Sequence, residues 1–295
     1  MLLDLQIAAV LLLTAGCASP ERRALAAARR VSEAADRMPP ERAAVAEAAK
    51  GLGAADISAE RLRVCATETV AAVHDAAASA AFYRPESEDM VLLEERVLDE
   101  KVRRGMRAPR DLKRMFFAYM GARMFDRAAA LRTRFPEVEF PSMPERFLVA
   151  SSSAPGRPVY AVEADWKTVE RTALPLDRGI RVVMLLFPGC PAAEAATEDL
   201  LAEPATARAL REGAILLTER FDAEGVAAWK RRFGLGSFFI ARRASDFPEF
   251  NFAASPHFYF LKDGVVRSEL TGWGGPGGPS VNRARWLAEL ERAAR

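Results

Sequence analysis

The residues with the clearest chemical potential in this 295-residue sequence are its three cysteines, Cys17, Cys65 and Cys190. Cys190 follows an almost unbroken apolar run, residues 181–187, and precedes a segment rich in helix formers. A thiol at the start of a helix faces unpaired backbone N–H groups, which favour the thiolate, the form that attacks disulfides. The pattern therefore makes Cys190 the candidate catalytic residue.

Composition and charge argue against several other functions. Three cysteines are too few for a disulfide framework, and the two histidines, His74 and His257, cannot complete a usual zinc site with cysteines so far apart. We therefore expect no metal and no cofactor. The formal net charge is only +2, and acidic and basic residues are interspersed. Without a basic stripe, no nucleic-acid partner is expected.

The first residues resemble a bacterial lipoprotein signal peptide. A short apolar run, residues 7–13, leads through small residues to Cys17 and is too short to span a bilayer as a helix. The resemblance implies removal of residues 1–16 and a lipid anchor on Cys17 that holds the protein in the bacterial cell envelope, facing the periplasm. The residues after Cys17 lack the aspartate that often retains lipoproteins in the inner membrane, which favours the outer membrane. An ordinary secretory signal or a short buried helix is the alternative.

Residues 17–140 are predicted to form an all-α module of helical hairpins, because Ala, Arg, Glu and Leu dominate its composition. Ser58 is the predicted N-cap of a long helix that includes Cys65 and His74, both expected to be buried packing residues. Residues 117–136 resemble one tetratricopeptide hairpin. A plain helical bundle explains the same pattern equally well.

Prolines and serines over residues 141–158 predict a linker, and residues 159–295 are predicted to form an α/β domain with a mixed sheet flanked by helices. The predicted order of elements is β-α-β-α-β-α-β-β-α. In that order the first helix covers residues 166–172, and the second runs from the cysteine to about residue 212. The apolar run before the cysteine is predicted to be a central strand, buried on both faces.

Two local patterns in this domain resemble the thioredoxin superfamily. Residues 183–193 have the length of the family's central strand and Cys-x-x-Cys loop, with Cys190 at the first cysteine. Residues 255–264 look like the family's cis-proline, strand and hairpin. The loop and helix after the cysteine look most like secreted thioredoxin-like proteins of the lipoprotein and cytochrome-maturation type. The residues that the resemblance assigns to substrate binding are Gly189, Pro191, Ser255 and Pro256.

The sequence departs from that family at three positions. Ala193 stands where the resolving cysteine belongs, so this Cys-x-x-Ala site cannot form an internal disulfide. Gly189 replaces the tryptophan before the nucleophile, and Met184 replaces the buried acid that serves the resolving thiol. The losses of the acid and of the second cysteine are consistent with each other, since the acid has no thiol left to deprotonate.

Three interpretations remain open at this point. Cys190 is a monothiol exchange site that forms mixed disulfides with protein or peptide partners, released by an outside thiol or by Cys65. Alternatively, the domain is a redox-inactive scaffold for protein or peptide binding. The third interpretation is a role like that of monothiol glutaredoxins, with glutathione or an iron–sulfur cluster, although the loop lacks their sequence.

Five phenylalanines lie in the segment 234–254, between a predicted helix and a predicted strand. Because aromatic side chains mostly serve packing, we expect them to cover the edge of the sheet or dock the helical module. A groove for an apolar peptide is the alternative.

Overall fold

The computed structural model describes residues 19–37, 42–55, 57–150, 156–275 and 278–295. Cys17 and the predicted signal segment lie outside the described residues. The chain divides into two compact units, Met1–Pro141 and Ser142–Arg295, and each has a hydrophobic interior of its own. Within the described ranges, no helix combines the length and the apolar character that a bilayer crossing needs.

The first unit is all-α, as predicted. Its described helices are α1 (Pro20–Ala35), α2 (Arg42–Ala54), α3 (Ala59–Val64), α4 (Thr67–Tyr83), α5 (Glu88–Arg103), α6 (Pro109–Gly121) and α7 (Phe125–Arg134). Small and aliphatic side chains fill the interior between α1, α4 and α5. Helices α6 and α7 form a hairpin over the segment that resembles a tetratricopeptide unit.

The long helix predicted after Ser58 is divided in two. The Ser58 side chain does cap a helix, accepting a hydrogen bond from the Arg61 N–H at 3.3 Å, but that helix is the short α3. Cys65 and Ala66 adopt extended backbone before α4 begins. Cys65 is therefore partly exposed at a junction, and the prediction of a buried position on a helix face is wrong. The Arg104 guanidinium stabilises this break between the two helices by donating a hydrogen bond to the Cys65 carbonyl at 3.0 Å.

Charged side chains are buried between α4, α5 and α6. Lys101 donates to Asp111 at 2.7 Å and lies 3.4 Å from His74, which is fully buried as predicted. Burial opposes ionisation of Asp111, but hydrogen bonds from Lys101 and from the Ala108 N–H hold its pKa below the ordinary value. Glu94 is different, since neither of its buried carboxyl oxygens has a hydrogen-bond partner among the described residues.

The second unit is built on one mixed sheet, which has eight strands in the described residues. They are β1 (Arg146–Val149), β2 (Arg157–Val162), β3 (Thr168–Leu174), β4 (Ile180–Leu185), β5 (Ala214–Thr218), β6 (Phe238–Ala241), β7 (His257–Lys262) and β8 (Val265–Thr271). Their order across the sheet is β1-β3-β2-β6-β5-β4-β7-β8. Strand β4 pairs in parallel with β5 and antiparallel with β7, and its last four residues are buried. This confirms the central position predicted for the apolar run.

Helices flank this sheet, which confirms the predicted fold class. They are α8 (Pro191–Ala202), α9 (Pro204–Gly213), α10 (Ala223–Phe233) and α11 (Gly278–Ala294), with a short 3₁₀ turn at Ala244–Asp246. The single helix predicted from Cys190 to residue 212 is two helices. Pro204 lacks an N–H group and takes the first position of α9, so α8 ends before it.

The helix predicted over residues 166–172 is wrong, because this segment forms strand β3. Asp165 accepts hydrogen bonds from the N–H groups of Lys167 and Thr168, at 3.0 and 3.3 Å, and closes a turn instead of capping a helix. Trp166 takes a left-handed conformation in that turn, with φ of 54°. The chain then returns antiparallel to β2. Strand β1 pairs with β3 and lies inside the segment predicted to be a linker.

The phenylalanine-rich segment completes the sheet and its core. Its first part is strand β6, which joins the β2–β3 hairpin to β5. Phe247, Phe250 and Phe252 are buried in one cluster with side chains from β4 and β7. These rings serve packing, as predicted, but they lie in the core beside internal strands instead of covering the edge of the sheet, and they are not available as walls of a peptide groove.

Candidate functional site

A tight turn immediately before Cys190 determines the position of this residue in the site. The Cys190 N–H donates to the Phe187 carbonyl at 3.0 Å, with Pro188 and Gly189 at the two central positions. Gly189 has φ of +81°, the value that the third residue of a type II turn requires and that favours glycine. The turn thus explains why a glycine stands where the resembling family has tryptophan.

Cys190 is the N-cap of α8. Its backbone is extended, with φ of −78° and ψ of 115°, and its carbonyl accepts from the Glu194 N–H at 3.0 Å. Pro191, at the first helical position, is pre-organised for the helix and lacks an N–H group that would need an acceptor. The thiol is partly exposed. It is therefore anchored by its own backbone and still accessible to a partner.

The loop before β7 provides the other side of the site. The Cys190 Sγ lies 3.6 Å from the Ser255 carbonyl, to which the thiol donates. The Ser255 hydroxyl in turn accepts from the Phe187 N–H at 3.1 Å, which ties this loop to the end of β4. The Ser255–Pro256 bond is cis, as the resemblance predicts, and the Pro256 carbonyl accepts from the Gly272 N–H at 2.8 Å.

The structure thus brings the predicted site residues of the second unit together. They are Gly189, Cys190, Pro191, Ser255 and Pro256. Ala193, which the resemblance places at the position of the resolving cysteine, is completely buried on the inner side of α8, and Met184 is completely buried in β4. Cys65 belongs to the first unit, where burial and the nearby Glu21 carboxylate raise the pKa of its thiol, with Arg104 acting in the opposite direction. Nowhere in the described ranges do three histidine, cysteine or carboxylate side chains form a group suited to a metal ion.

A cleft beside the cysteine is not foreseen from the sequence. It has a volume of about 300 Å³ and lies between the turn before Cys190 and helix α10. The residues that line it are Pro188, Gly189, Glu194, Asp222, Gly225, Ala228, Trp229, Arg232 and Phe233. A Cβ atom on Gly189 would meet nothing within 4 Å, so the missing tryptophan side chain leaves open space.

Two interactions shape the rim of this cleft. Arg232 on α10 binds two carboxylates of α8, Glu194 at 2.8 Å and Glu198 at 2.7 Å. Asp222 caps α10 by accepting from the Gly225 N–H at 2.8 Å. A side chain at position 225 would collide with the Asp222 carboxylate, which explains the glycine. An aspartate three residues before a glycine at a helix start is the only sequence signal for this part of the site.

A mixed sheet flanked by helices, with a cysteine where its central strand gives way to a helix, makes the second unit thioredoxin-like. No protein-family model matches the chain, and no curated protein matches it. Among solved structures, it is similar to a thioredoxin-family thiol:disulfide interchange protein from Chlorobium tepidum, with 13% identity and a TM-score of 0.35 over 50% of this chain and 100% of that one.

Two further solved structures are similar. A putative electron transfer protein from Aquifex aeolicus has 13% identity and a TM-score of 0.34, over 47% of this chain and 90% of that one. A thioredoxin-like protein from Bacteroides caccae has 10% identity and a TM-score of 0.28, over 92% of this chain and 95% of that one.

Proposed function

We propose that the protein performs monothiol disulfide exchange through Cys190. The observation that carries this proposal is the placement of a partly exposed thiol at the N-terminus of α8, with the Ser255 carbonyl 3.6 Å from its sulfur. An inert packing cysteine is usually covered, whereas reactivity requires access. The buried Ala193 offers no second thiol, so the cycle must be completed by a thiol from elsewhere.

The reaction has two exchange steps. The Cys190 thiolate attacks one sulfur of a substrate disulfide, the substrate S–S bond breaks, and the departing thiolate takes up a proton. Cys190 is then joined to the other half of the substrate as a mixed disulfide. A second thiolate attacks the substrate sulfur of this bond, forms a new disulfide with that half of the substrate and releases Cys190 as a thiolate. Each step breaks one disulfide and forms another, so no cofactor is required.

Proteins or peptides are the proposed partners. The segment that ends at Ser255 and Pro256 lies against the sulfur, where its backbone can meet an extended chain beside the disulfide. The Ser255 hydroxyl is already occupied by the Phe187 N–H, which keeps this segment in place. Gly189 and Pro191 border the thiol on the other side and are both exposed, so they do not block an approaching chain.

The test compares Cys190 with Cys65 in the full chain. The protein is treated with bis(2-hydroxyethyl) disulfide at pH 7, and the modified cysteine is located by peptide mass mapping over time. Cys190 is expected to react about tenfold faster than Cys65, because burial and the nearby Glu21 carboxylate raise the pKa of the Cys65 thiol and so lower its thiolate population. Cys65→Ser should leave the Cys190 rate unchanged, and Cys190→Ser should abolish the fast phase.

The redox-inactive scaffold is the alternative, and the buried Ala193 and Met184 are the observations in its favour. If Cys190 reacts no faster than Cys65, the exchange proposal is wrong and the scaffold is the better explanation. Release of the mixed disulfide distinguishes the source of the second thiol. Release in wild type without added thiol that is lost in the Cys65→Ser variant indicates Cys65, whereas release that in both proteins requires added dithiol indicates an outside thiol.

We also propose that Cys17 carries a lipid anchor that places the protein in the bacterial cell envelope, facing the periplasm, with the outer membrane favoured. The apolar run and small residues before Cys17 support this. The wild-type protein should partition into the detergent phase, and Cys17→Ser should accumulate as an unprocessed precursor. A wild-type protein in the aqueous phase with a different first residue would contradict the proposal.

A further inference from the structure

The cleft beside Cys190 and its rim have more negative than positive charges. Two carboxylates, from Glu194 and Asp222, and one guanidinium, from Arg232, line it. The charge of Arg232 is already shared between Glu194 and a third carboxylate, Glu198, at 2.8 and 2.7 Å. Asp222 forms no ion pair within the described parts of the chain. The cleft with its rim thus holds three negative charges and one positive charge.

The walls of the cleft suit the stem of a long basic side chain. Trp229 and Phe233 line it with aromatic rings whose centroids lie 4.8 Å apart, and Pro188 and Ala228 add apolar surface. Lysine and arginine commonly lay their methylene groups on such surfaces while the charged head stays near water and carboxylates. A volume of about 300 Å³ fits one side chain and is at the lower limit for a small ligand.

From this arrangement we infer that the cleft is a subsite for a cationic side chain that flanks the cysteine of a peptide or protein disulfide. The inference rests on the proposed exchange at Cys190 and adds the substrate class. Gly189 lines the cleft and precedes Cys190 directly, so a group bound there is next to the reacting sulfur. Other cations close in sequence are directed elsewhere: Arg220 lies over the Phe187 ring, Lys230 donates to the Val162 carbonyl, and Arg231 donates to the Ala164 carbonyl.

Three small disulfides of similar length isolate the charge. They are cystamine, bis(2-hydroxyethyl) disulfide and 3,3′-dithiodipropionate, which are cationic, neutral and anionic at pH 7. In each reaction the Cys190 thiolate joins one half, and the other half leaves as a thiol. Rates of mixed-disulfide formation at Cys190 are measured by mass spectrometry and divided by the rates of the same disulfides with N-acetylcysteinamide. This division removes the intrinsic reactivity of each reagent.

The expected order of the normalised rates is cystamine, then the neutral disulfide, then the dipropionate. About fivefold between successive reagents is expected for two net charges at a partly hydrated site. High salt should reduce the differences, because mobile ions screen exposed charges. Equal normalised rates, or a preference for the anion, would overturn the inference while leaving the exchange function intact. Failure of all three disulfides to react would overturn both.

Two variants should shift the preference in opposite directions. Asp222→Asn keeps a good N-cap for α10 and removes one negative charge, so the advantage of cystamine should fall by at least about half. Arg232→Gln frees Glu194 and Glu198 from their cation, so the advantage should rise. Thermal melting checks that both variants fold, and the preference is read within each variant as the ratio of its cystamine rate to its rate with the neutral disulfide. A preference for cystamine that neither variant changes would assign the selectivity elsewhere and overturn the inference.

Discussion

Replacing Glu94 with glutamine should remove a pH-dependent loss of stability from the helical unit. Glu94 is fully buried on α5 without a hydrogen-bond partner in the described residues. Burial, opposed by Arg114 and reinforced by Asp111, raises its pKa to about 8 from an ordinary value of 4.5. The folded protein therefore keeps a proton on Glu94 at neutral pH, whereas the unfolded chain releases it.

The sign of the effect follows from this difference in proton binding. Between pH 4.5 and about 8 only the folded state holds the proton, so the free energy of unfolding falls as the pH rises. The contribution is fully present below 4.5 and lost above about 8. Each pH unit costs about 1.4 kcal/mol, which gives about 3 kcal/mol between pH 5 and 7 and about 5 kcal/mol over the whole interval. Glutamine has no proton to lose and should show none of this decline.

Urea unfolding at pH 5, 6, 7 and 8 measures the effect. Far-UV circular dichroism reports mainly on the helical unit. Tryptophan fluorescence reports on the second unit, because all four tryptophans lie there, at residues 166, 229, 273 and 286. Glu94→Gln should gain stability relative to wild type as the pH rises, by the amounts above. Glu60→Gln, at an exposed position on α3, controls for the loss of one charge. A difference between wild type and Glu94→Gln that stays constant across the series would refute the reasoning.

Three further outcomes follow from the structure. Gly189→Ala should lower the stability of the second unit by about 1 kcal/mol in thermal melts, because the φ of +81° at Gly189 disfavours a residue with a Cβ atom. Gly213→Ala is the control, since Gly213 lies in a helix and its replacement should not lower the stability. Lys101→Met should cost about 3 to 5 kcal/mol in urea unfolding, because it removes the close counter-charge of the buried Asp111 carboxylate and leaves only the Arg110 guanidinium at 3.9 Å. Adding Asp111→Leu should recover much of the loss, and an additive double variant would contradict this. Ala193→Cys should raise insulin reduction slightly above wild type, and equal rates would show that the turn does not bring the two thiols together.

The parts of the fold that could be predicted from sequence are those in which local pattern and tertiary environment agree. The apolar run before Cys190 has no polar alternation, which suits only a strand covered on both faces, and it is β4. Asp263 and Gly264 have positive φ between two β-rich segments, as a hairpin turn requires, and they join β7 to β8. The contact between Cys190 and the loop at Ser255 follows from family resemblance, because nothing local links residues so far apart.

The remaining features depend on partners that the local sequence does not reveal. Asp165 binds the same backbone N–H groups in a turn as it would in a helix cap, and pairing with β2 decides between the two. Glu94 looks like one more charge on an amphipathic helix, and only the packing of α5 shows that it is buried. The cleft needs both Gly189 and α10, whose residues come together only once β4 and β5 are paired.

The strand order also determines when the residues around the Cys190 thiol can come together during synthesis. The contacts that define the helical unit lie before residue 142, so they can form before the second unit is synthesised. In the second unit, β2 pairs with β6, and β4, which ends at Leu185, pairs with β7, which begins at His257. Such distant pairings slow folding, since long loops must close before any contact rewards them. Cys190 is therefore synthesised well before Ser255, whose carbonyl accepts the hydrogen bond of its thiol in the folded unit. During that interval the Cys190 thiol is exposed and can form disulfides with other cysteines.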